Sequence, residues 1–505
     1  MNFFTSADIR RIENEIMETF AVSESVLMEN AGSAAAEIIM NRFPSGEILV
    51  LTGPGKNGGD GYVAARHLAS RGRRVEILSA IPAGNLKGIS EENFRRAVQC
   101  GFPVSFSPDW SDEKIAGKIR HADILVDSLL GIGSKGLLRG EIARLCLHLK
   151  DTENVIALDI PTGIDPDSGH ADIHCAGAAL TITMICPKTG IATGEGKKLA
   201  GEIIVAGVGF PVPINAIPRI RSFSAACGKP FLPQFPYDIH KGMRGGAMVI
   251  GGCTTYRGAP LLSLRGFLRA GGGPVVLFSD EISCASCSTF LPEAILENNL
   301  FSKSDGEVVS TLSSWSERIG TIVLGPGIGR SERAGEICSL VFSAWKGNII
   351  IDGDGLFWLS KCAEKHHRGN ILLTPHEGEA ARLLGVLPEA VRKDRLASAR
   401  RIAEEWGPVL LKGAETLCDD GRETYLVAEG NRALAVPGSG DVLAGVIAAF
   451  LSAGTPLLES AALGAYVHGK SAQSLASSNG CDGILAREIA DEIPHILKEM
   501  RDPLL

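Results

Sequence analysis

The residues best placed to do chemistry lie in PGSGDVLAG (437–445) and in GPGKNGGDG (53–61). In the first, Gly438 and Gly440 precede a long apolar helix pattern, so free backbone N–H groups point out of its start. They form an anion hole for a phosphoryl group in transfer, and Asp441 at its mouth can take a proton from an attacking hydroxyl. A plain helix cap is the alternative, since Asp is a favoured cap, but Pro-Gly-Ser-Gly is an odd way to build only that. GPGIG (325–329), DGDG (352–355), TPHEGE (374–379) and LKGAET (411–416) each bring polar groups to the carboxyl end of an apolar strand. His376, directly after a strand-ending Thr-Pro, is a ligand candidate, with Asp352 and Asp354 beside it in the series.

GPGKNGGDG contains Gly53-x-Gly55-x-x-Gly58 and matches a dinucleotide fingerprint only loosely. Pro54 and the run Asn57-Gly58-Gly59-Asp60-Gly61 are unusual there. The acidic residue expected at the end of the second strand is also missing, because Glu76 falls inside VEIL. Five glycines in nine residues, opening a helix, make an anion cradle the better reading than a simple chain reversal. Asp127 closes ILVD and Asp159 closes VIALD, and ligands gather at the carboxyl ends of strands in open parallel sheets.

Two α/β series position these residues. ILVL (48–51), VEIL (75–78), ILVD (124–127) and VIALDI (155–160) alternate with helix patterns such as 62–70 and predict a mostly parallel sheet covered by helices. Before them, Ile9 to Met17 and Val26 to Met40 read as amphipathic helices packing over one sheet edge. Prolines at 211, 213, 218, 230, 233 and 236 break both helix and sheet. They divide the chain into 1–217, a linker at 218–236, and 237–505. The second series comprises AMVIGG (247–252), PVVLFS (274–279), TIVLG (321–325), NIIIDG (348–353), ILLTP (371–375) and PVLLKG (408–413). A hairpin follows within 416–430, turning at Asp420-Gly421.

At 505 residues the chain needs more than one hydrophobic core. A net charge of −8 gives no long-range pull toward nucleic acid or an anionic membrane. No signal-peptide core opens the sequence, and the apolar stretch Val442 to Ala453 is too short to span a bilayer, so the expected location is the cytoplasm. Twelve cysteines are scattered. Cys284 and Cys287 form the one close pair and lack the partners of a zinc site, so reduced thiols are the simpler reading.

LMENAG (27–32), GPGKNGGDGYVAARHL (53–68), VDSLLGIG (126–133) and ALDIPTGIDPDSG (157–169) resemble the NAD(P)H-hydrate epimerase family over most of residues 1–210. The resemblance implies an N-terminal Rossmann-like three-layer α/β/α sandwich and a potassium ion bound by Asn57, Asp127 and Thr162, an oxygen-rich set suited to a hard cation. It implies that Lys56, Asn57, Gly58, Gly59 and Asp60 contact the hydrated nicotinamide nucleotide. Gly131, Ile132, Gly133, Ser134, Lys135, Gly136, Leu137 and Asp159 join them. Relatives usually have Asn-Asn where this chain has Lys56-Asn57, so the lysine either adds a phosphate contact or disturbs the ion site. Lys188, in CPKTG, resembles a family lysine, with a solvated loop lysine as the alternative.

The second set of strand ends, with HKGMRGG (240–246), GAPLLSLRGFLRAGGG (258–273) and LPEAIL (291–296), resembles the ribokinase-like fold and more closely the NAD(P)H-hydrate dehydratase family. The likeness covers about 237–500. It implies that Ala259, Gly327, His376 and Asp441 contact the hydrate. Lys412, Gly413, Ala414, Glu415 and Thr416, with Gly440, would hold the adenine nucleotide. Relatives more often read Asp-Ala-Asp where this chain has Asp352-Gly353-Asp354. The implied function is repair of hydrated NADH and NADPH by a homo-oligomer that binds neither nucleic acid nor membrane. One domain interconverts the R and S hydrates; the other dehydrates the S form, using ADP with magnesium and giving AMP and phosphate. Hydroxide is a poor leaving group, with a conjugate-acid pKa of about 16, whereas phosphate leaves in the range of about 6. The alternatives are a ribokinase-type small-molecule kinase fused to a non-catalytic binding module, and, on the lone glycine pattern, an NAD-dependent dehydrogenase.

Overall fold

In the computed structural model, residues 1–134, 136–150, 152–213, 215–362 and 370–501 are described. The chain forms two compact units, Met1–Ile220 and Arg221–Leu505.

The sheet of unit 1 contains β1 (Ile48–Thr52), β2 (Val75–Ser79), β3 (Val104–Phe106), β4 (Ile124–Ser128), β5 (Val155–Leu158), β6 (Leu180–Met184) and β7 (Glu202–Ala206). Its order is β3-β2-β1-β4-β5-β6-β7 and every pairing is parallel. Burial on both faces explains the unbroken β-branched runs. Ile48, Val50, Ile77, Val126, Ile156 and Ile182 face a core shared with Ile9, Ile12, Ile16, Ala35, Ile39 and Leu68. Leu49, Leu51, Leu78 and Leu125 face another, shared with Ile115, Ile119, Leu145 and Leu149. The helices Ser6–Thr19 and Glu24–Arg42 pack on one face of the sheet, the second against β6 and the edge strand β7, as the sequence pattern led one to expect. The arrangement is the expected Rossmann-like α/β/α sandwich.

In unit 2 the strands are β8 (Ile220–Ser222), β9 (Ala247–Ile250), β10 (Val275–Phe278), β11 (Ile295–Glu297), β12 (Thr321–Leu324), β13 (Asn348–Ile351), β14 (Ile371–Leu373), β15 (Val409–Leu411), β16 (Thr416–Asp419) and β17 (Thr424–Val427). They run in the order β8-β17-β16-β15-β14-β13-β12-β9-β10-β11. β15, β16 and β17 pair antiparallel, with Gly421 at φ +90° in the turn between the last two; the other pairings are parallel. The stretch 218–236 is more than a linker. It contains β8 and the short helix Ala225–Gly228, and its Phe223 and Leu232 enter the core of unit 2. Prolines interrupt regular structure there, but the apolar residues between them still find burial.

The helix Ser439–Ser452 is apolar all round and lies in the middle of that core. It packs on the helix Gly258–Arg269 through glycine: a Cβ on Gly445 would meet the Ser263 carbonyl at 1.9 Å, and one on Gly266 the Val442 carbonyl at 2.3 Å. Among the described residues no helix is long and apolar enough to cross a membrane.

Candidate functional site

Both candidate sites form where loops leave the carboxyl ends of parallel strands. In unit 1 the loop after β1 runs straight into the helix Lys56–Ser70, six residues before the expected start at Tyr62. Its glycines allow backbone to pass backbone. A Cβ on Gly53 would lie 1.8 Å from the Leu129 carbonyl, and one on Gly58 2.1 Å from the Gly53 carbonyl. This brings Asn57 against the loops after β4 and β5, where its amide donates to the carbonyls of Leu130 at 2.9 Å and Leu158 at 3.1 Å. Among the described residues the buried Asn57 Oδ1 has no hydrogen-bond partner.

Asp127, at the end of β4, is buried and bound by Thr162 twice. The Thr162 hydroxyl donates to Oδ1 at 2.7 Å and its backbone N–H to Oδ2 at 2.8 Å, while Leu129 N–H adds a third bond at 3.1 Å. Burial still outweighs these bonds and raises the Asp127 carboxyl above its ordinary range.

Asp159 follows β5 in the left-handed region, at φ +67°. A non-glycine residue held there costs free energy and is characteristic of functional sites. Its Oδ1 accepts from the ammonium of Lys188, and its Oδ2 from Ile132 N–H at 3.4 Å. Lys188 is fully buried and also donates to the Thr183 hydroxyl at 3.0 Å and the Met184 carbonyl at 3.1 Å. The chain before the first helix fixes its position: Phe4 N–H bonds to the Pro187 carbonyl at 2.9 Å, and Thr189 N–H to that of Phe4 at 3.0 Å. Gly131 completes the convergence, because a Cβ there would be 3.0 Å from Asp159 Oδ2 and 3.2 Å from the Asn57 Cβ. Asp60 lines a cavity with Glu13, Glu24, Lys56 and Met28. Burial, and then the charges of Asp159 and Glu13, push its carboxyl well above the ordinary range.

In unit 2, Gly438 takes φ +87° and turns the chain into the helix Ser439–Ser452, with Asp441 in its first turn. The Asp441 carbonyl accepts from the Ser263 hydroxyl at 2.9 Å, which fixes this turn on the neighbouring helix. Lys412, after β15, points its ammonium at the helix start, where a Cβ on Gly440 would stand 3.0 Å from Nζ. The same ammonium lies 2.5 Å from Asp352 Oδ1, which also accepts from the Thr374 hydroxyl at 2.8 Å. Burial opposes the charge on Lys412, but Asp352 and Glu379 outweigh it and raise its pKa. Asp441 is pushed up to about 7 by burial and then by the charge of Asp352, with Lys412 pulling the other way. A carboxyl near 7 at a helix N-terminus is suited to accept a proton at neutral pH.

Beside this point opens a cavity of about 620 Å³ lined by Lys412, Gly413, Ala414, Thr416, Ser439 and Gly440. Glu429 to Arg432, Leu434, Val436, Leu443 and His468 complete its wall. His468 Nε2 lies 3.2 Å from the Ser439 hydroxyl, and burial with the nearby Lys412 charge lowers its pKa to about 4, so it is neutral. Ala259 and Gly327 adjoin each other, a Cβ on Gly327 falling 3.2 Å from that of Ala259.

The chain aligns at 37% identity over 495 residues with the bifunctional NAD(P)H-hydrate repair enzyme of Thermanaerovibrio acidaminovorans, covering 95% of this chain and 96% of the relative. This chain belongs to the bifunctional NAD(P)H-hydrate repair enzymes. The relative from Thermofilum pendens, of the same name, is 34% identical over 98% of this chain and 96% of its own length. A family described as YjeF-related protein N-terminus matches residues 24–190, and one described as NAD(P)H-hydrate dehydratase matches 247–495. Among solved structures, the ADP/ATP-dependent NAD(P)H-hydrate dehydratase of Bacillus subtilis, co-crystallised with ATP and Mg²⁺, is similar at a TM-score of 0.50 and 27% identity. It covers 57% of this chain and is itself covered throughout (100%). A ribokinase-like superfamily protein from Enterococcus faecalis gives a TM-score of 0.51 at 26% identity over 56% of this chain and 97% of its own.

Within this repair enzyme, the expected residues Asn57, Gly131, Asp127, Thr162 and Asp159 converge, and so do Lys412, Gly440 and Asp441. Lys56 pairs with Glu24 at 2.5 Å, is largely exposed, and lines the cavity that holds Asp60. Gly59 serves packing, since a Cβ would strike Met28 Sδ at 2.6 Å. Ser134 N–H closes a turn onto the Gly131 carbonyl at 3.2 Å; Gly133 and Gly136 stand in open space, and Leu137 is exposed. Lys135 lies outside the described residues. Glu415 does not line the cavity and presents its carbonyl to Arg395 at 3.1 Å. His376 caps the helix Glu377–Leu384, its Nδ1 accepting from Gly378 N–H at 3.0 Å, and its Nε2 lies 3.6 Å from Glu379 Oε1. Asp354 holds the neighbouring loop through Gly329 N–H at 3.1 Å and Arg330 at 3.0 Å. Cys284 and Cys287 are free and buried.

Sequence reasoning missed Arg395, Glu379 and His468. Arg395 is buried and donates to the carbonyls of Leu411, Lys412 and Glu415 and to Glu377. Nothing in the local sequence distinguishes it from the other arginines of its helix, because its partners lie 16 to 20 residues away.

Proposed function

We propose that unit 1 interconverts the R and S hydrates of NADH and NADPH, and that unit 2 dehydrates the S hydrate while converting ADP to AMP and phosphate. The observation that carries this reading is Asp441, a carboxyl with a pKa near 7 at a glycine-rich helix start and beside a buried lysine. In unit 2, Asp441 takes the proton of the hydrate's ring hydroxyl as its oxygen attacks the terminal phosphoryl group of ADP. The backbone N–H groups at Ser439 and Gly440 and the Lys412 ammonium stabilise the charge on the transferred group. AMP departs, and the phosphorylated ring loses phosphate from one carbon and a proton from its neighbour, which forms the double bond and restores the conjugated dihydronicotinamide. Lys412, Gly413, Ala414, Thr416 and Gly440 hold the nucleotide, which brings magnesium on its phosphates. Ala259, Gly327 and His376 contact the hydrate.

In unit 1, burial and the charge of Asp159 hold the Asp60 carboxyl well above its ordinary range, whereas Asp159 is paired with Lys188, which equips the two as acid and base for loss and return of the ring hydroxyl. Asn57, Asp127 and Thr162 would hold potassium. The unpartnered Asn57 Oδ1 and the buried Asp127 carboxyl, which has no cationic partner among the described residues, support that fit. Potassium, when bound, supplies the positive charge that Asp127 lacks. A cytoplasmic homo-oligomer belongs to the same reading.

The test is incubation with hydrated NADH and ADP, following absorbance of the reduced nicotinamide and release of AMP. Absence of both, with the S hydrate demonstrably present, would overturn the reading.

A further inference from the structure

Three cations gather on one aromatic ring in unit 2. The guanidinium of Arg330 lies 4.4 Å from the Phe357 ring centroid, the ammonium of Lys361 also 4.4 Å, and the guanidinium of Arg382 5.6 Å. Lys361 lies in addition 5.3 Å from the ring of Trp358. Each is attracted by the ring face, but the cations repel one another. Asp354 answers only Arg330, at 3.0 Å. Lys361 and Arg382 form no ion pair among the described residues, so the cluster carries an excess of positive charge.

Its position gives that excess a use. Trp358 Nε1 donates to the Gly329 carbonyl at 3.0 Å and Asp354 accepts from Gly329 N–H, which pins the loop 325–330 to the helix Asp354–Leu359. That loop carries Gly327 against Ala259 at one end and Arg330 at the other. The helix Glu377–Leu384 carries His376 at its cap and Arg382 in its last turn. The two elements assigned to the hydrated ring therefore lead to the cations, none of which lines the cavity beside Lys412. A hydrated dinucleotide has a diphosphate and an adenosine beyond its ring, with a further 2′-phosphate in the NADPH form.

Resting on the reading of unit 2 as the dehydratase, we propose that Arg330, Lys361 and Arg382, assembled by Phe357, bind the phosphate groups of the adenosine half of the hydrated dinucleotide. They are binding residues and take no part in the proton transfer.

The test is steady-state kinetics of the full chain with the S hydrates of NADH and NADPH, varying hydrate and ADP in turn. The double variant Lys361→Gln/Arg382→Gln should raise the KM for hydrate about tenfold, as expected for losing charge-assisted contacts. The kcat and the KM for ADP should stay within about twofold of the parent. A rise for both hydrates assigns the diphosphate; a rise for the NADPH hydrate alone assigns the 2′-phosphate. An unchanged hydrate KM, a matching rise in the ADP KM, or a loss confined to kcat would overturn the assignment. The single variant Arg330→Gln serves the same readout where the double variant melts early. If the parent chain dehydrates neither hydrate, the dehydratase reading has failed. The cationic subsite is then read by calorimetric titration with adenosine 2′,5′-bisphosphate, and equal binding by parent and double variant rejects it.

Discussion

Asp441→Asn should silence dehydration and stabilise unit 2 at the same time. The carboxyl is pushed from 3.8 to about 7, and each tenfold change in acid strength corresponds to about 1.4 kcal/mol. A wholly withdrawn group would thus cost folding about 4 kcal/mol once ionised. Asp441 keeps some contact with solvent, which reduces the cost to about 1–2 kcal/mol. The sign follows from the raised folded-state pKa: the stability contribution is intact below the unfolded value near 4, and it is lost as pH rises through about 7. Asparagine removes the ionisation, so the variant should gain on the parent in urea unfolding at pH 8 and show little difference at pH 4.5. Losing a positioned base costs about 10²- to 10⁴-fold in rate. The assay pairs AMP release with the S hydrate against epimer interconversion without ADP, which should survive because Asp441 belongs to unit 2. Normal AMP release would refute the role of the base. A stability gain as large at pH 4.5 as at pH 8 would refute the electrostatic argument.

Parent dehydratase activity should fall about tenfold per pH unit below about 7, tracking Asp441, and a flat profile from pH 5.5 to 7.5 would remove the carboxyl from the rate equation. Asp127→Ala should slow R-to-S interconversion measured by chromatography and abolish its response to potassium, whereas dehydration of purified S hydrate continues. Arg395→Met should weaken ADP binding, read as a raised KM, because four hydrogen bonds to Glu377 and the 411–415 loop are lost; Arg395→Lys should recover part of it. Gly445→Ala should lower stability by about 1–3 kcal/mol through overpacking, since the new methyl meets the Ser263 carbonyl at 1.9 Å; an unchanged urea midpoint would contradict the packing.

The strands of both sheets were legible where β-branched residues run without interruption, as at Ile48–Thr52 and Asn348–Ile351. Leu180–Met184 and Val104–Phe106 were not, because threonine and serine break the apolar run even though LTITM is fully buried. The strand-end carboxylates were placed correctly as positions, but the left-handed φ of Asp159 was not readable, since only the surrounding loops impose it. The glycines of 53–59 looked like an anion cradle. Gly53, Gly58 and Gly59 also let chain and side chain pass closely, a use that only tertiary contact reveals. Lys188 shows the same limit: its loop sequence is equally that of a solvated lysine, yet Asp159, Thr183 and Met184 bind it and it is completely withdrawn from solvent.

The two sites treat their central carboxylates in opposite ways. In unit 1, Lys188 pairs directly with Asp159, while burial and the charges of Asp159 and Glu13 raise the Asp60 carboxyl against the pull of Lys188 and Lys56. In unit 2, Lys412 is drawn 2.5 Å from Asp352, and Asp441 is the carboxyl left under-compensated. Exchanging one partner would exchange the chemistry. A lysine bound mainly to Asp441 would hold it ionised and acidic, a weaker base toward a hydroxyl. In the proposed reaction Asp352 would therefore act through Lys412: it holds the ammonium beside the helix start and, by its own charge, raises the Asp441 carboxyl.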